Sequence, residues 1–159
     1  MKQEWNNFLT ERHKGKRTLA ITLSAKQKIG ELWLDETLLK QNVEHFLNRL
    51  NRATFGKAHK RFGKKFHGFY AIEGGIHSKR LHVHLTLEIP EVEAKTSLRN
   101  RLRMNYFKLS YEIRKAWSET LFGYREIVVK DVYDLAGWVD YSTKKRTKSA
   151  DFLSLIEPF

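Results

Sequence analysis

The chain has 159 residues, of which 41% are hydrophobic, and this size and composition predict a single domain with a core of its own. Its 30 Lys and Arg outnumber its 18 Asp and Glu, so the formal net charge of +12 favours a polyanionic partner: nucleic acid first, with an anionic membrane as the competitor. Cysteine is absent, which excludes disulfides and zinc–thiolate sites and leaves nitrogen and oxygen as the ligands for any metal.

The sequence shows no long apolar run and no signal peptide, which predicts a cytoplasmic protein, or a nuclear one in a eukaryotic host, with no membrane partner. Residues 1–16 are interpreted as a basic leader with at most a short helix, 17–148 as the core of one domain over 1–159, and the end as a short tail. The predicted elements are a strand at 17–24, an amphipathic helix at 36–55, strands at 67–73 and 81–89, a basic helical region at 91–122, a strand at 124–132 and a helix at about 135–146.

This order of elements predicts an α+β fold, in which a central antiparallel sheet of four or five strands is flanked by helices. Gly56 is expected to end the first long helix, and Asp134 to cap the start of the last one. Between the first helix and the second strand, residues 57–66 are interpreted as a basic connector with interleaved aromatic residues.

The segment from Leu81 to Ile89 alternates apolar and polar residues, as a strand with one face on a core does. His82 and His84 therefore stand side by side on the face that is turned away from the core. Glu73 ends the preceding strand, and a hairpin register that places it opposite His82 puts the carboxylate on the same face. A register shifted by one residue would bury an unpaired Glu73, which is costly.

Glu73, His82 and His84 form a candidate metal site with open coordination positions, suited to a divalent ion such as Mg²⁺ or Mn²⁺. The alternative is a polar sheet face with two half-exposed histidines. His77 lies in the connecting turn and either reaches this site, touches DNA or faces water.

Tyr141 is the candidate nucleophile on the predicted C-terminal helix, since it falls away from the apolar side formed by Leu135, Trp138 and Val139. Lys144 follows one turn later and would lie beside it. The alternative is an ordinary amphipathic tyrosine at the helix edge, and Tyr133 is the nearest rival.

Basic residues in two segments are candidates for DNA binding. They are Lys57, Lys60, Arg61, Lys64 and Lys65 in the connector, and Lys145, Arg146 and Lys148 beyond the nucleophile. The connector also offers Phe55, Phe62 and Phe66 as stacking faces, although part of these aromatics is expected in the core. Arg99, Arg101 and Arg103 either meet phosphates or form a solvated helix face.

These motifs resemble those of the HUH endonucleases. His82-Val83-His84 looks like their His-hydrophobic-His motif, residues 19–24 are similar to their first-strand motif, and Tyr141-Ser142-Thr143-Lys144 matches the Tyr-x-x-Lys motif of single-tyrosine rolling-circle replication initiators. Glu73 stands where many members carry the third metal ligand. The resemblance spans roughly residues 17–148.

The resemblance implies sequence-specific nicking and joining of single-stranded DNA at an origin or hairpin. Tyr141 would form a 5′-phosphotyrosine link, Lys144 would orient the phosphate or stabilise charge, and the metal would bind Glu73, His82 and His84. Host polymerase and helicase are the implied partners, because the chain has no ATP-binding loop. It would be a domain of a longer protein or a stand-alone nickase.

Three alternatives stay open. The first is a single-tyrosine transposase of an insertion sequence. The second is a nucleic-acid-binding module of the same fold without catalysis. The third is a metal-dependent nuclease that uses water, for which Tyr141 would be dispensable.

Overall fold

The computed structural model describes residues 2–75, 80–90, 105–143 and 153–156. The elements are α1 (Lys2–His13), β1 (Thr18–Ala25), β2 (Lys28–Ile29), β3 (Leu32–Trp33), α2 (Glu36–Phe55), α3 (Lys57–Phe62), β4 (Gly68–Glu73), β5 (His82–Glu88), α4 (Tyr106–Ser118), β6 (Gly123–Asp131), α5 (Leu135–Thr143) and β7 (Leu153–Ile156).

Five strands form one antiparallel sheet in the order β6-β1-β5-β4-β7. The strand β5 lies in the middle of this sheet and carries His82 and His84, so the predicted α+β class and the central position of the His-x-His strand are both confirmed. The strands β2 and β3 pair with each other as a separate hairpin.

One face of the sheet packs on α2 and α4 and forms the main core. Apolar residues at helical spacing along α2 are buried there, including Val43, Phe46 and Leu50, as the amphipathic pattern predicted. Trp117 of α4 meets Phe46 edge to face, with ring centroids 5.6 Å apart. The bounds of α2 match the prediction because Asp35 accepts a hydrogen bond from the Leu38 amide at its start and Gly56 ends it.

The other face of the sheet is covered by α1 and α5. Leu9 of α1, Phe69 of β4 and Val139 of α5 form a second, smaller cluster of buried side chains. Helix α1 occupies most of the segment that the sequence analysis interpreted as a basic leader. The amphipathic signal of α1 is weak because few apolar residues anchor it, and burying one such side chain is worth about 1.5–3 kcal/mol.

The connector at 57–66 differs in part from its prediction. It contains the short helix α3, and Phe66 is fully buried in the main core with Phe55 packed against it at a ring distance of 5.0 Å. Phe62 is exposed. Of the three stacking candidates, Phe66 is therefore a core residue and Phe55 is half-buried, because the chain must turn back into the sheet directly after α3.

From α4 to α5 the chain follows the prediction where the structure describes it, but the predicted short tail is wrong in part, because residues 153–156 form β7 and pair with β4. Helix α4 lies within the predicted helical region, of which residues 91–104 lie outside the described residues. Asp134 accepts a hydrogen bond from the Gly137 amide at 3.0 Å and so caps α5, as expected. In the part of the chain that the structure describes, no helix combines the length and the apolarity needed to cross a membrane.

Candidate functional site

Glu73, His82 and His84 meet at one end of the second sheet face. Glu73 pairs with His82 across β4 and β5, which is the register that the cost of a buried carboxylate favoured. The Glu73 Oε2 atom lies 2.8 Å from Nε2 of His84 and 3.4 Å from Nε2 of His82. One ligand atom from each of the three side chains lies within 4.8 Å of the other two. We call these three residues the triad.

Both imidazoles are oriented through their second ring nitrogen. Nδ1 of His82 lies 3.0 Å from the Arg80 carbonyl oxygen, which can only accept, so Nδ1 is the donor of this hydrogen bond. In the neutral ring the proton is then on Nδ1, and the lone pair of Nε2 points toward Glu73. Nδ1 of His84 lies 3.4 Å from Oγ1 of Thr22 on β1. Such outer contacts fix the tautomer and the direction of histidines that bind metals.

The donor set of the triad fits a divalent ion. Two imidazole nitrogens and a carboxylate oxygen are ligands for divalent metals, and they leave further coordination positions open. His84 is only 3% exposed at its side chain, whereas 29% of the His82 side chain is accessible, so one flank of the triad is open to a substrate. Direct pairing of His84 with Glu73 needs a proton between Nε2 and Oε2, and a bound cation would replace that proton.

Gly74 holds the triad hairpin in place through its backbone. Its φ of +107° is a conformation that side chains strongly disfavour, and a Cβ atom built on it would lie 2.2 Å from the Arg80 carbonyl oxygen. That oxygen is the acceptor for Nδ1 of His82. The close approach of Gly74 to Arg80 therefore supports the orientation of one triad ligand.

Helix α5 crosses the sheet face so that Tyr141 packs beside the triad. Trp138 donates from Nε1 to Oγ1 of Thr86 at 2.8 Å, and Tyr141, one turn further on, contacts His84, which precedes Thr86 on the same face of β5. The rings of Tyr141 and His84 are 5.5 Å apart and meet at 74°. The structure thus brings the predicted nucleophile to the predicted metal ligands.

Trp138 packs against both the nucleophile candidate and the triad. Its indole stacks on Tyr141 with a centroid distance of 5.7 Å and an interplanar angle of 26°, and it meets the edge of His84 at 5.7 Å. Tyr141 remains 57% exposed, so a substrate can reach this residue from solvent. Sequence analysis placed Trp138 on the apolar side of the helix but missed this contact.

A second polar cluster fills the opposite end of the same sheet face. Glu88 lies on the polar face of β5 but is buried, and it accepts from Nδ1 of His13 at 2.5 Å and from Nζ of Lys16 at 3.0 Å. Burial lowers the pKa of His13, although Glu88 opposes this. Burial alone would raise the pKa of Glu88, but Lys16 and His13 together outweigh it and lower that pKa.

The basic connector does not lie beside the triad. It precedes Gly68, and β4 rises about 3.3 Å per residue, so the start of that strand is roughly 17 Å from Glu73. Lys57, Lys60, Arg61 and Lys64 are exposed there and Lys65 is half-buried. Lys144, Lys145, Arg146 and Lys148 lie outside the described residues, as do His77, Arg99, Arg101 and Arg103.

Arg80 and Thr22 are site residues that sequence analysis missed. Arg80 is exposed, precedes His82 by two residues, and accepts from Nδ1 of that histidine through its backbone carbonyl. Thr22 supports His84 from the neighbouring strand. The only sequence signal for Thr22 is its outward position in the alternating pattern of the first strand.

Comparisons with known proteins do not assign the chain to a family. No family model, no curated protein and no solved structure matches it.

Proposed function

We propose that the protein nicks and rejoins single-stranded DNA with Tyr141 as nucleophile, as a single-tyrosine rolling-circle replication initiator does. The observation that carries the proposal is the ring contact between Tyr141 and His84, since a nucleophile and a candidate metal ligand from distant parts of the sequence share one site. The resemblance of the motifs to those of HUH endonucleases and the high positive charge support it further.

The residues divide the chemistry between them. A divalent ion bound by Glu73, His82 and His84 would neutralise charge on the scissile phosphate. Tyr141 Oη attacks the phosphorus in line, and a phosphorus–oxygen bond to Tyr141 forms as the bond to the 3′ oxygen breaks. The phenol loses its proton to water, which the exposed side chain allows, and the leaving 3′ oxygen takes up a proton. The products are a 5′-phosphotyrosine link and a free 3′ hydroxyl, which can reverse the step.

Lys144 would lie near the transferred phosphate in this scheme, where its charge would stabilise the phenolate and the transition state. The Arg80 carbonyl would keep His82 oriented toward the metal. Single-stranded DNA that also contacts the connector would follow the sheet toward its other end. The alternatives are a transposase with the same chemistry, a nuclease that uses water, and a binding module.

A covalent adduct assay separates tyrosine chemistry, which the replication initiator and the transposase share, from the hydrolytic nuclease and the binding module. Labelled single-stranded DNA pools are mixed with the protein and Mn²⁺, and products are separated under denaturing conditions. We expect a metal-dependent covalent band that Tyr141→Phe abolishes and the matched control Tyr133→Phe retains. Cleavage without an adduct that survives Tyr141→Phe would select the hydrolytic nuclease. Tight binding with neither adduct nor cleavage would select the binding module.

Metal binding is tested separately by thermal unfolding with Mn²⁺. A ligand present at a hundredfold excess over its Kd stabilises a protein by about 2.7 kcal/mol, which is roughly 5–10 °C in Tm for a domain of this size. We expect this rise for the wild-type chain and for His45→Ala, an exposed histidine on α2. His84→Ala and Glu73→Gln should lose it. An equal rise in His84→Ala would contradict the assignment of the triad.

A further inference from the structure

The hairpin β2–β3 presents an aromatic side chain to solvent. Trp33 is 66% exposed, and the ammonium group of Lys28 lies 5.0 Å from the centroid of its ring. An exposed indole offers a flat aromatic face on which a ligand can stack. The Lys28 ammonium also lies 3.4 Å from Oε2 of Glu31, a partner that it would exchange for the phosphate of a nucleotide.

The hairpin is fixed to the end of the sheet that carries the triad. The Leu34 amide closes its base by donating to the Gln27 carbonyl at 2.8 Å. The Gln27 side chain donates to the Leu81 carbonyl at 3.0 Å and accepts from the Leu81 amide at 2.8 Å. Leu81 directly precedes His82, so the base of the hairpin that carries Trp33 is hydrogen-bonded to the backbone next to a triad residue.

We propose that Trp33 and Lys28 form a stacking site for an unpaired base of the single-stranded DNA that reaches the triad. This inference rests on the proposed function, because it names how the same substrate is held. An indole face stacks on any base, and a neighbouring Lys attracts the backbone without reading sequence. The hairpin lies at the triad end of the sheet, whereas the basic connector lies at the other, so the two would hold different parts of the strand.

Charge at the tip of the hairpin favours DNA over a membrane as the partner. Glu31 stands between β2 and β3, and its side chain is 98% exposed. Insertion of the tip into a bilayer would take this carboxylate out of water, which is costly. Stacking of a base on Trp33 leaves the carboxylate in water, 3.4 Å from the Lys28 ammonium.

The test measures binding in EDTA, so that chemistry plays no part. Fluorescence anisotropy of labelled oligothymidine gives the Kd of the full chain and of Trp33→Ala, Trp33→Leu and Trp33→Phe. Loss of one stacked base is expected to raise the Kd about 5- to 150-fold for Ala. Phe should bind more tightly than Leu, since only Phe retains an aromatic face. Tyr133→Ala, which removes an exposed aromatic near the far end of the sheet, should leave the Kd unchanged.

An abasic strand of equal length isolates the stacking contribution. It keeps the phosphates and lacks the bases, so Trp33→Ala should bind it as tightly as the wild-type chain does. Equal Kd values for wild type and Trp33→Ala on oligothymidine would overturn the stacking site. It would also be overturned if Trp33→Ala lost as much affinity for the abasic strand as for oligothymidine. If Trp33→Ala lost binding to phosphatidylserine vesicles while its DNA binding was unchanged, Trp33 would be assigned to a membrane contact instead.

The stacking site and the proposed function fail in different ways. A covalent adduct formed equally well, with an unchanged Kd, by Trp33→Ala would overturn the stacking site and leave the nicking function in place. Binding that depends on Trp33, without any adduct from the wild-type chain, would support the stacking site on a binding module.

Discussion

His84 connects the two halves of the candidate site. It is nearly inaccessible at its side chain, pairs with Glu73, and is surrounded by the rings of His82, Trp138 and Tyr141. Any displacement of this ring would move the triad relative to the tyrosine. The residues that hold His84 in place therefore matter as much as the residues that would react.

Trp138 is expected to position Tyr141 rather than to react. Trp138→Phe removes the donor to Thr86, and we expect about 10-fold slower adduct formation, since small misplacements of a nucleophile are costly. The Mn²⁺-induced rise in Tm should stay unchanged, because the triad is intact.

A purely structural role of Trp138 makes a different prediction. Trp138→Phe leaves the buried Thr86 hydroxyl without its donor, which costs about 1–3 kcal/mol of stability. Adding Thr86→Val removes that hydroxyl and should restore stability. Recovery of the adduct rate along with stability in the double variant would contradict the positioning role.

At the scale of secondary-structure elements, much of the site could be predicted from sequence. The alternating pattern of β5 and the cost of burying Glu73 gave the register, and the hydrophobic repeat of α2 gave its bounds. Periodicity alone did not predict the contact of α5 with His84, because it depends on which sheet face the helix covers; only the resemblance implied that Tyr141 and the triad share a site. The hairpin β2–β3 was missed because strands of two residues carry no periodicity.

The turn after β4 offers a test at the same scale. Gly74→Ala would drive a Cβ atom into the Arg80 backbone, and we expect the Mn²⁺ affinity to fall about 10- to 100-fold, as it does when an outer contact of a ligand is lost. Gly15→Ala is the matched control, since Gly15 also has a positive φ, of 73°, but open space around it. An equal loss of affinity in both variants would show that backbone strain alone is responsible.

At the scale of the whole molecule, two helical layers enclose one sheet, and the two ends of its second face have different roles. The triad and Tyr141 occupy one end. The cluster of His13, Lys16 and Glu88 joins the end of α1 to β5 at the other. This cluster fastens α1, which in turn packs against α5, the helix that carries the tyrosine.

The buried cluster predicts how stability depends on pH. The pKa of His13 is lowered on folding, so the unfolded chain binds more protons as the pH falls through about 6.5, and the free energy of unfolding should fall with it. The lowered pKa of Glu88 acts in the same direction at lower pH. His13→Asn should make this slope shallower in urea titrations, while His45→Asn should not. A slope that is equally steep in His13→Asn would contradict the prediction.

The most direct test of the account is to identify the residue that carries the DNA. Adduct formed with Mn²⁺ is digested with nuclease and trypsin, and the linked peptide is sequenced by mass spectrometry. Cleavage after Lys130 and Lys144 leaves Tyr133 and Tyr141 on one peptide, so the fragment ions must separate them. We predict a nucleotide remnant on Tyr141. A remnant on Tyr133 or on any other residue would contradict it.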